Sequence, residues 1–190
     1  DQVKRVGGTP AESAATFRFL LAIAYASAQP RNLDAWWELW QNPQTLSDAC
    51  IKFVIANDGA WDLFDEANPF GQDGALKPTN RSASHLLVVD RARANNPVFS
   101  DHHLSALPQG VEPSRLAMAV LATHQYGGSS GGGYTIGPLA VRTIGIIEGA
   151  NLLQTLILNV LVGKTPPSLA WQTWASGARR SGAPKHPAEW

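Results

Sequence analysis

The sequence predicts a mainly helical α+β domain, and three observations carry that reading. Apolar segments with helix-start chemistry recur at Thr9-Pro10-Ala11-Glu12, Glu112-Pro113 and Gly149-Ala150-Asn151. Short aromatic or β-branched runs at Trp61–Phe64, His85–Val89 and Val141–Ile147 read as a few short strands. Between them lie long stretches of turn chemistry, one of which, residues 127–134, holds five glycines in eight positions.

The first helix opens on a capping box with proline at its first position and runs to about Ala28. It is apolar on most sides, as a helix surrounded by others would be. Pro30 ends it. A second helix, from Asn32 or Leu33 to about Gln41, carries Trp36, Trp37 and Trp40. Indoles at that spacing beside Leu33 and Leu39 read as core, although exposed tryptophans also stack on bases. Thr45-Leu46-Ser47-Asp48 reads as the cap of a third helix ending near Asn57-Asp58-Gly59.

The middle of the chain is irregular. Asn68-Pro69-Phe70-Gly71 and Lys77-Pro78 are turns, and residues 91–108 read as a long loop with few core residues. Glu112-Pro113 then opens a helix with Leu116, Ala119, Val120 and Thr123 on one face, stopping at Tyr126-Gly127. A last helix spans Leu152–Val162 and ends at Gly163. Residues 1–163 form the domain. Residues 164–190 are Pro-rich and read as a segment leading onward, and the opening on Asp1 reads as a piece of a larger protein.

Fifteen basic and fifteen acidic side chains balance to zero. A freestanding nucleic-acid binder is usually basic, so the composition argues against strong DNA affinity by the chain alone. The charge is divided, however. Residues 31–73 hold eight acids against Arg31 and Lys52, a net of −6. Residues 74–190 hold ten basic residues against five acids, a net of +5, which makes the later part the face for phosphate. Cys50 is the single cysteine, which excludes an intrachain disulfide and a Cys-rich zinc site; it reads as a small core residue. The apolar run Phe19–Ala28, edged by Arg18, is too short to span a bilayer, so the chain reads as cytoplasmic.

Candidate chemistry is sparse. Asp101-His102-His103 has the residue types of a metal-dependent phosphoesterase, which needs further ligands converging from elsewhere. Asp62, Asp65 and Glu66 cluster as an acid/base pair or a solvated face would. No Gly-x-Ser-x-Gly elbow is present. The glycine loop 127–134 is neither a P-loop nor a dinucleotide fingerprint, because no Gly-Lys-Ser/Thr follows and it comes after a helix. Its bare backbone permits close approach to a phosphate or a groove floor, and the plainer reading is a surface linker. Arg142 opens the run that follows and is either a phosphate contact or a surface residue.

The order of these features resembles CasA, the large subunit of the type I-E CRISPR Cascade complex. The resemblance is carried by Thr9–Glu12, by Trp61-Asp62-Leu63-Phe64 with Asn68-Pro69-Phe70-Gly71-Gln72, by Gly131-Gly132-Gly133-Tyr134, and by Asn151-Leu152-x-x-Thr155-Leu156-x-Leu158-Asn159. It covers residues 9–163. It implies a non-catalytic subunit without a cofactor, seated beside the 5′ handle of the guide RNA among other Cascade subunits. It also implies inspection of double-stranded target DNA for the protospacer-adjacent motif and recruitment of a helicase-nuclease. By resemblance, Gly131, Gly132, Gly133 and Tyr134 meet the motif, and Val89, Asp90 and Arg91 lie in the loop near the RNA handle. The zinc-binding cysteine pairs of some members have no counterpart here. The family's minor-groove lysine, glutamine wedge and C-terminal helical bundle correspond to positions beyond residue 190.

Overall fold

The computed structural model describes residues 3–67, 69–72, 87, 110–126 and 144–163. Its elements are α1 (Pro10–Ala28), α2 (Leu33–Gln41), α3 (Pro43–Ala56), a 3-10 turn (Asp58–Ala60), α4 (Pro113–Tyr126) and α5 (Leu152–Asn159). Helix α1 is central and packs against α3, α4 and α5. Ala15, Phe17, Ala22, Ala24 and Tyr25 of α1 meet Leu39, Leu46, Leu121 and Ile157 in one core. The expectation of a buried first helix is met.

The capping box at the start of α1 is formed on both sides. Thr9 Oγ1 accepts from the Glu12 amide, and the Thr9 amide donates to Glu12 Oε2 at 2.8 Å. Glu12 is fully buried, and its second oxygen accepts from Arg115 Nε of α4 at 2.9 Å. One carboxylate therefore closes a helix end and ties two helices together. Ser13 Oγ donates to the carbonyls of Val6 and Gly7, laying the N-terminal segment beside α1.

Three elements depart from expectation. Helix α3 begins at Pro43, two residues before the Thr45 cap read from sequence. Proline suits the first helical position because its missing N–H has no intrahelical partner there. Trp61–Phe64 is a turn rather than a strand. Helix α5 stops at Asn159 rather than Val162, because Val160 is extended and the Leu161 amide donates to Tyr25 Oη at 2.6 Å. Among the described residues there is no strand; 144–149 are irregular, and Ile147 pairs with the Asn159 side chain. His85–Val89 lies outside the described residues except for Leu87, as do 141–143 and the segment 164–190. Thr123 is exposed, and Leu121 and Gln125 join Leu116, Ala119 and Val120 on the buried face of α4.

Cys50 is half-buried against the core, its Sγ 3.2 Å from Ser27 Oγ, and burial pushes its thiol pKa up. Trp36 stacks on Trp40 with ring centroids 5.8 Å apart, and Trp36 Nε1 donates to the Ile157 carbonyl at 2.9 Å. These two indoles are structural, and the first of them closes the C-terminal end of α5.

The Glu12–Arg115 pair is open to a double-mutant cycle. Arg115→Met strands a buried carboxylate, and the expected loss is about 3 kcal/mol. Glu12→Gln keeps the acceptor of the cap and removes the charge, with an expected loss of about 1 kcal/mol. In denaturant melts the double variant should lose at least about 1 kcal/mol less than the sum. Additive losses would mean that the two side chains act independently.

Candidate nucleic-acid interface

The described residues that flank the glycine loop in sequence are the end of α4, at Tyr126, and the run from Ile144 that leads into α5. Gly131, Gly132, Gly133 and Tyr134 themselves lie outside the described residues, as do Val89, Asp90, Arg91, Arg142 and the triplet Asp101-His102-His103.

The departing end is locked by His124. Its Nε2 lies 2.6 Å from the Gly71 carbonyl oxygen. A carbonyl only accepts, so Nε2 carries the proton and the ring tautomer follows. Burial pushes the His124 pKa down, against a smaller upward pull from the Gly71 bond. Gly71 has φ +66°, and an added Cβ would meet Val120 Cγ1 at 2.8 Å, so only glycine suits this position without strain.

The segment before Gly71 is anchored in turn. Phe70 is buried, with its ring centroid 5.3 Å from Phe19 and 6.2 Å from Trp61. The Phe70 amide donates to the Asp62 carbonyl at 2.7 Å, and Gln72 Nε2 donates to the Leu63 carbonyl at 3.0 Å. Asp62 and Asp65 accept from the Phe64 and Ala67 amides, as turn-forming carboxylates do. Asp62 and Glu66 are exposed, so this acidic cluster is a set of turn caps and solvated charges rather than an acid/base pair.

Three polar side chains stand where α4 ends. The Arg18 guanidinium is buried, and desolvation lowers its pKa to about 10 while Tyr126 pulls it back up. It remains a cation at neutral pH. Gln125 is buried, with neither amide atom hydrogen-bonded among the described residues. Tyr126, the last residue of α4, is exposed. The sequence marked Arg18 only as the edge of an apolar run. Its place beside the end of α4 was invisible because 108 positions separate it from Tyr126 and only the packing of α1 on α4 joins them.

The returning end is held by a ladder on α5. Asn151 caps the helix through the Gln154 amide, and Gln154 Oε1 accepts from the Ala150 amide. Thr155 Oγ1 donates to the Asn151 carbonyl and accepts from the Gly149 amide. Asn159 Nδ2 donates to the Ile147 carbonyl at 2.8 Å, and its Oδ1 accepts from the Ile147 amide at 3.1 Å. The carboxamide thus pairs with Ile147 as a neighbouring strand would. An added Cβ at Gly149 would meet Gln154 Cβ at 2.7 Å and the Thr155 amide at 3.0 Å, so the run can press this close only through glycine.

Among the described residues, no group of three or more His, Cys, Asp or Glu side chains is placed to hold a metal ion, and no helix is long and apolar enough to cross a membrane.

The whole chain, residues 1–190, matches the family described as CRISPR-associated protein Cse1. A CRISPR-associated protein CasA/Cse1 from Thermus thermophilus is 28% identical over 171 residues, which are 83% of this chain and 33% of the relative. The crystal structure of Cse1 from Acidimicrobium ferrooxidans shares the fold, with a TM-score of 0.65 at 22% identity over 88% of this chain and 35% of that one. The chain therefore spans about a third of the length of both.

His124 binds its proton more weakly when folded, so its contribution is complete above the unfolded value of about 6.5 and is lost as pH falls below it. The melting temperature should decline from pH 7 to 5.5, and His124→Gln, which can still donate to Gly71, should flatten that decline. Equal slopes would clear His124 of the effect. Asn159→Ala removes the bonds to Ile147 and is expected to lower stability by about 1–3 kcal/mol. Faster amide exchange at Ile147 should accompany the loss, and unchanged exchange would refute the ladder.

Proposed function

Because the chain belongs to the CRISPR-associated Cse1 family, we propose that it is the motif-reading part of a large, non-catalytic CasA subunit in a guide-RNA surveillance complex. It inspects double-stranded target DNA for the protospacer-adjacent motif and helps to recruit the helicase-nuclease. It works in the cytoplasm with other Cascade subunits and needs no cofactor of its own. The observation that carries this reading is the family match across all 190 residues.

In this reading Gly131, Gly132 and Gly133 lie against the motif base pairs, with Tyr134 at their flank. Val89, Asp90 and Arg91 lie near the RNA handle. The chemistry supports the assignment. The minor groove offers a degenerate pattern of acceptors and one guanine donor, and a reader there accepts several related motifs. Backbone amides and carbonyls reach such base edges without adding charge, in keeping with a neutral chain whose phosphate contacts come largely from other subunits. A reader without long side chains needs its backbone placed by the frame. The His124–Gly71 bond and the Asn159–Ile147 pair supply two fixed ends for that purpose.

The test uses the full-length subunit assembled with its guide-RNA complex at one salt concentration. Matched duplexes with and without the motif are titrated against wild type and Gly132→Asp. The expected outcome is a motif-dependent affinity gap that shrinks by about tenfold or more in the variant, while assembly is retained. An unchanged gap would place motif reading elsewhere. Loss of assembly would make the loop a structural element.

A further inference from the structure

Helices α2 and α3 turn one side to the core and leave a patterned surface on the other. Leu39 and Leu46 point inward and are buried. On the opposite side of α2, Leu33 and Trp37 stand one turn apart and are 73% and 52% exposed. On α3, Ile51 and Ile55 stand one turn apart and are 53% and 69% exposed. Residues four apart on a helix are neighbours, so each pair forms a continuous apolar ridge. Isolated apolar residues on a surface are ordinary, but two ridges on consecutive helices mark a surface built for contact.

The charges around these ridges share one sign. Asp34, Glu38, Asp48 and Asp58 are exposed and stand against only Arg31 and Lys52. None of the four acids forms an ion pair among the described residues. Asp48 does accept from Gln44 Nε2 on its own helix at 3.0 Å. Like charge repels the nucleic-acid backbone, so this face is poorly matched to DNA or RNA. A surface with exposed apolar residues and a net positive charge would cover the ridges and neutralise the unpaired acids together.

We infer that the outward face of α2 and α3 is a protein-docking surface, fitted to an apolar, net-basic surface on another subunit of the assembly. The inference rests on the reading of this chain as a subunit of a guide-RNA complex, and names the side by which it attaches. Protein contact falls on the acidic layer, and nucleic acid is left to the more basic half of the chain.

The test takes the full-length subunit and, as probe, the purified guide-RNA complex lacking it. Ile51→Ser with Ile55→Ser should weaken association at least tenfold while leaving the melting temperature nearly unchanged, because both side chains are exposed already. Glu38→Lys with Asp48→Lys should also weaken association and flatten its salt dependence. A photo-crosslinking amino acid at position 55 should join a protein subunit of the complex. If wild type binds and the variants bind equally well, the inference falls alone. It also falls if position 55 crosslinks to nucleic acid or to its own polypeptide. If wild type does not bind the complex, the functional reading falls and takes the inference with it.

Discussion

A single buried carboxylate sets the geometry on which the rest depends. Glu12 closes the first turn of α1 through the Thr9 amide and holds Arg115 at the start of α4. Those contacts align the beginnings of two helices that are about a hundred residues apart in sequence. With the starts matched, the far end of α4 comes to rest near Arg18, and His124 comes within hydrogen-bonding distance of Gly71. An ion pair in which one partner is fully buried is weak evidence for stability in itself, because desolvation offsets much of the attraction. Its value here is in register. Once Glu12 is buried, a displaced α4 would leave a carboxylate without its charged partner.

Much of the helical layout was legible because helix ends have local chemistry. Thr9 to Glu12, Pro30, Pro113 and Asn151 each mark a boundary through their own backbone preferences or side-chain reach, and both ends of α1 and the starts of α4 and α5 fall where those residues place them. The misread features are those decided by distant partners. Helix α5 looked longer because Leu158 to Val162 continue an apolar run, yet Tyr25 of α1 takes the Leu161 amide and ends the helix. Val141 to Ile147 reads as a strand because the run is rich in β-branched residues, and 144–147 are its described part. That part is irregular, and Ile147 pairs with the side chain of Asn159. No periodicity rule anticipates a backbone pairing with a carboxamide.

Two of the motifs that carried the family resemblance have a structural task. Pro69-Phe70-Gly71-Gln72 plugs Phe70 into the aromatic cluster on α1, turns at Gly71 and closes on Leu63 through Gln72. Asn151, Thr155 and Asn159 recur every fourth residue and present one face of α5 to the segment from Ile147 to Ala150. Neither motif needs to touch a ligand to have a functional consequence. Each fixes the chain at one point: Gln72 closes the first segment on Leu63, and Asn151, Thr155 and Asn159 hold the approach to α5. The candidate contact residues themselves were legible only through resemblance. Glycine has no side chain whose chemistry can be read, and Val89 or Asp90 in isolation names no partner.

The division of charge along the chain gives these parts a common direction. An overall charge of zero would suit a protein with no electrostatic preference, but the acids are concentrated in residues 31–73 and the basic residues afterwards. Long-range attraction to a polyanion depends on the face presented, not on the sum, and it fades within about 8 Å at physiological salt. Under the proposed reading, a subunit whose acidic residues lie beside exposed apolar ridges turns that side away from nucleic acid and toward a protein surface that excludes water. A backbone reader benefits from this arrangement more than a basic one would. Glycine amides add no charge to hold a duplex, so dwell time at a site must come from neighbouring subunits and from close fit. A protein attached by its acidic face can hold such a loop against DNA without binding every phosphate it meets, and discrimination between sequences improves when the non-specific term is small.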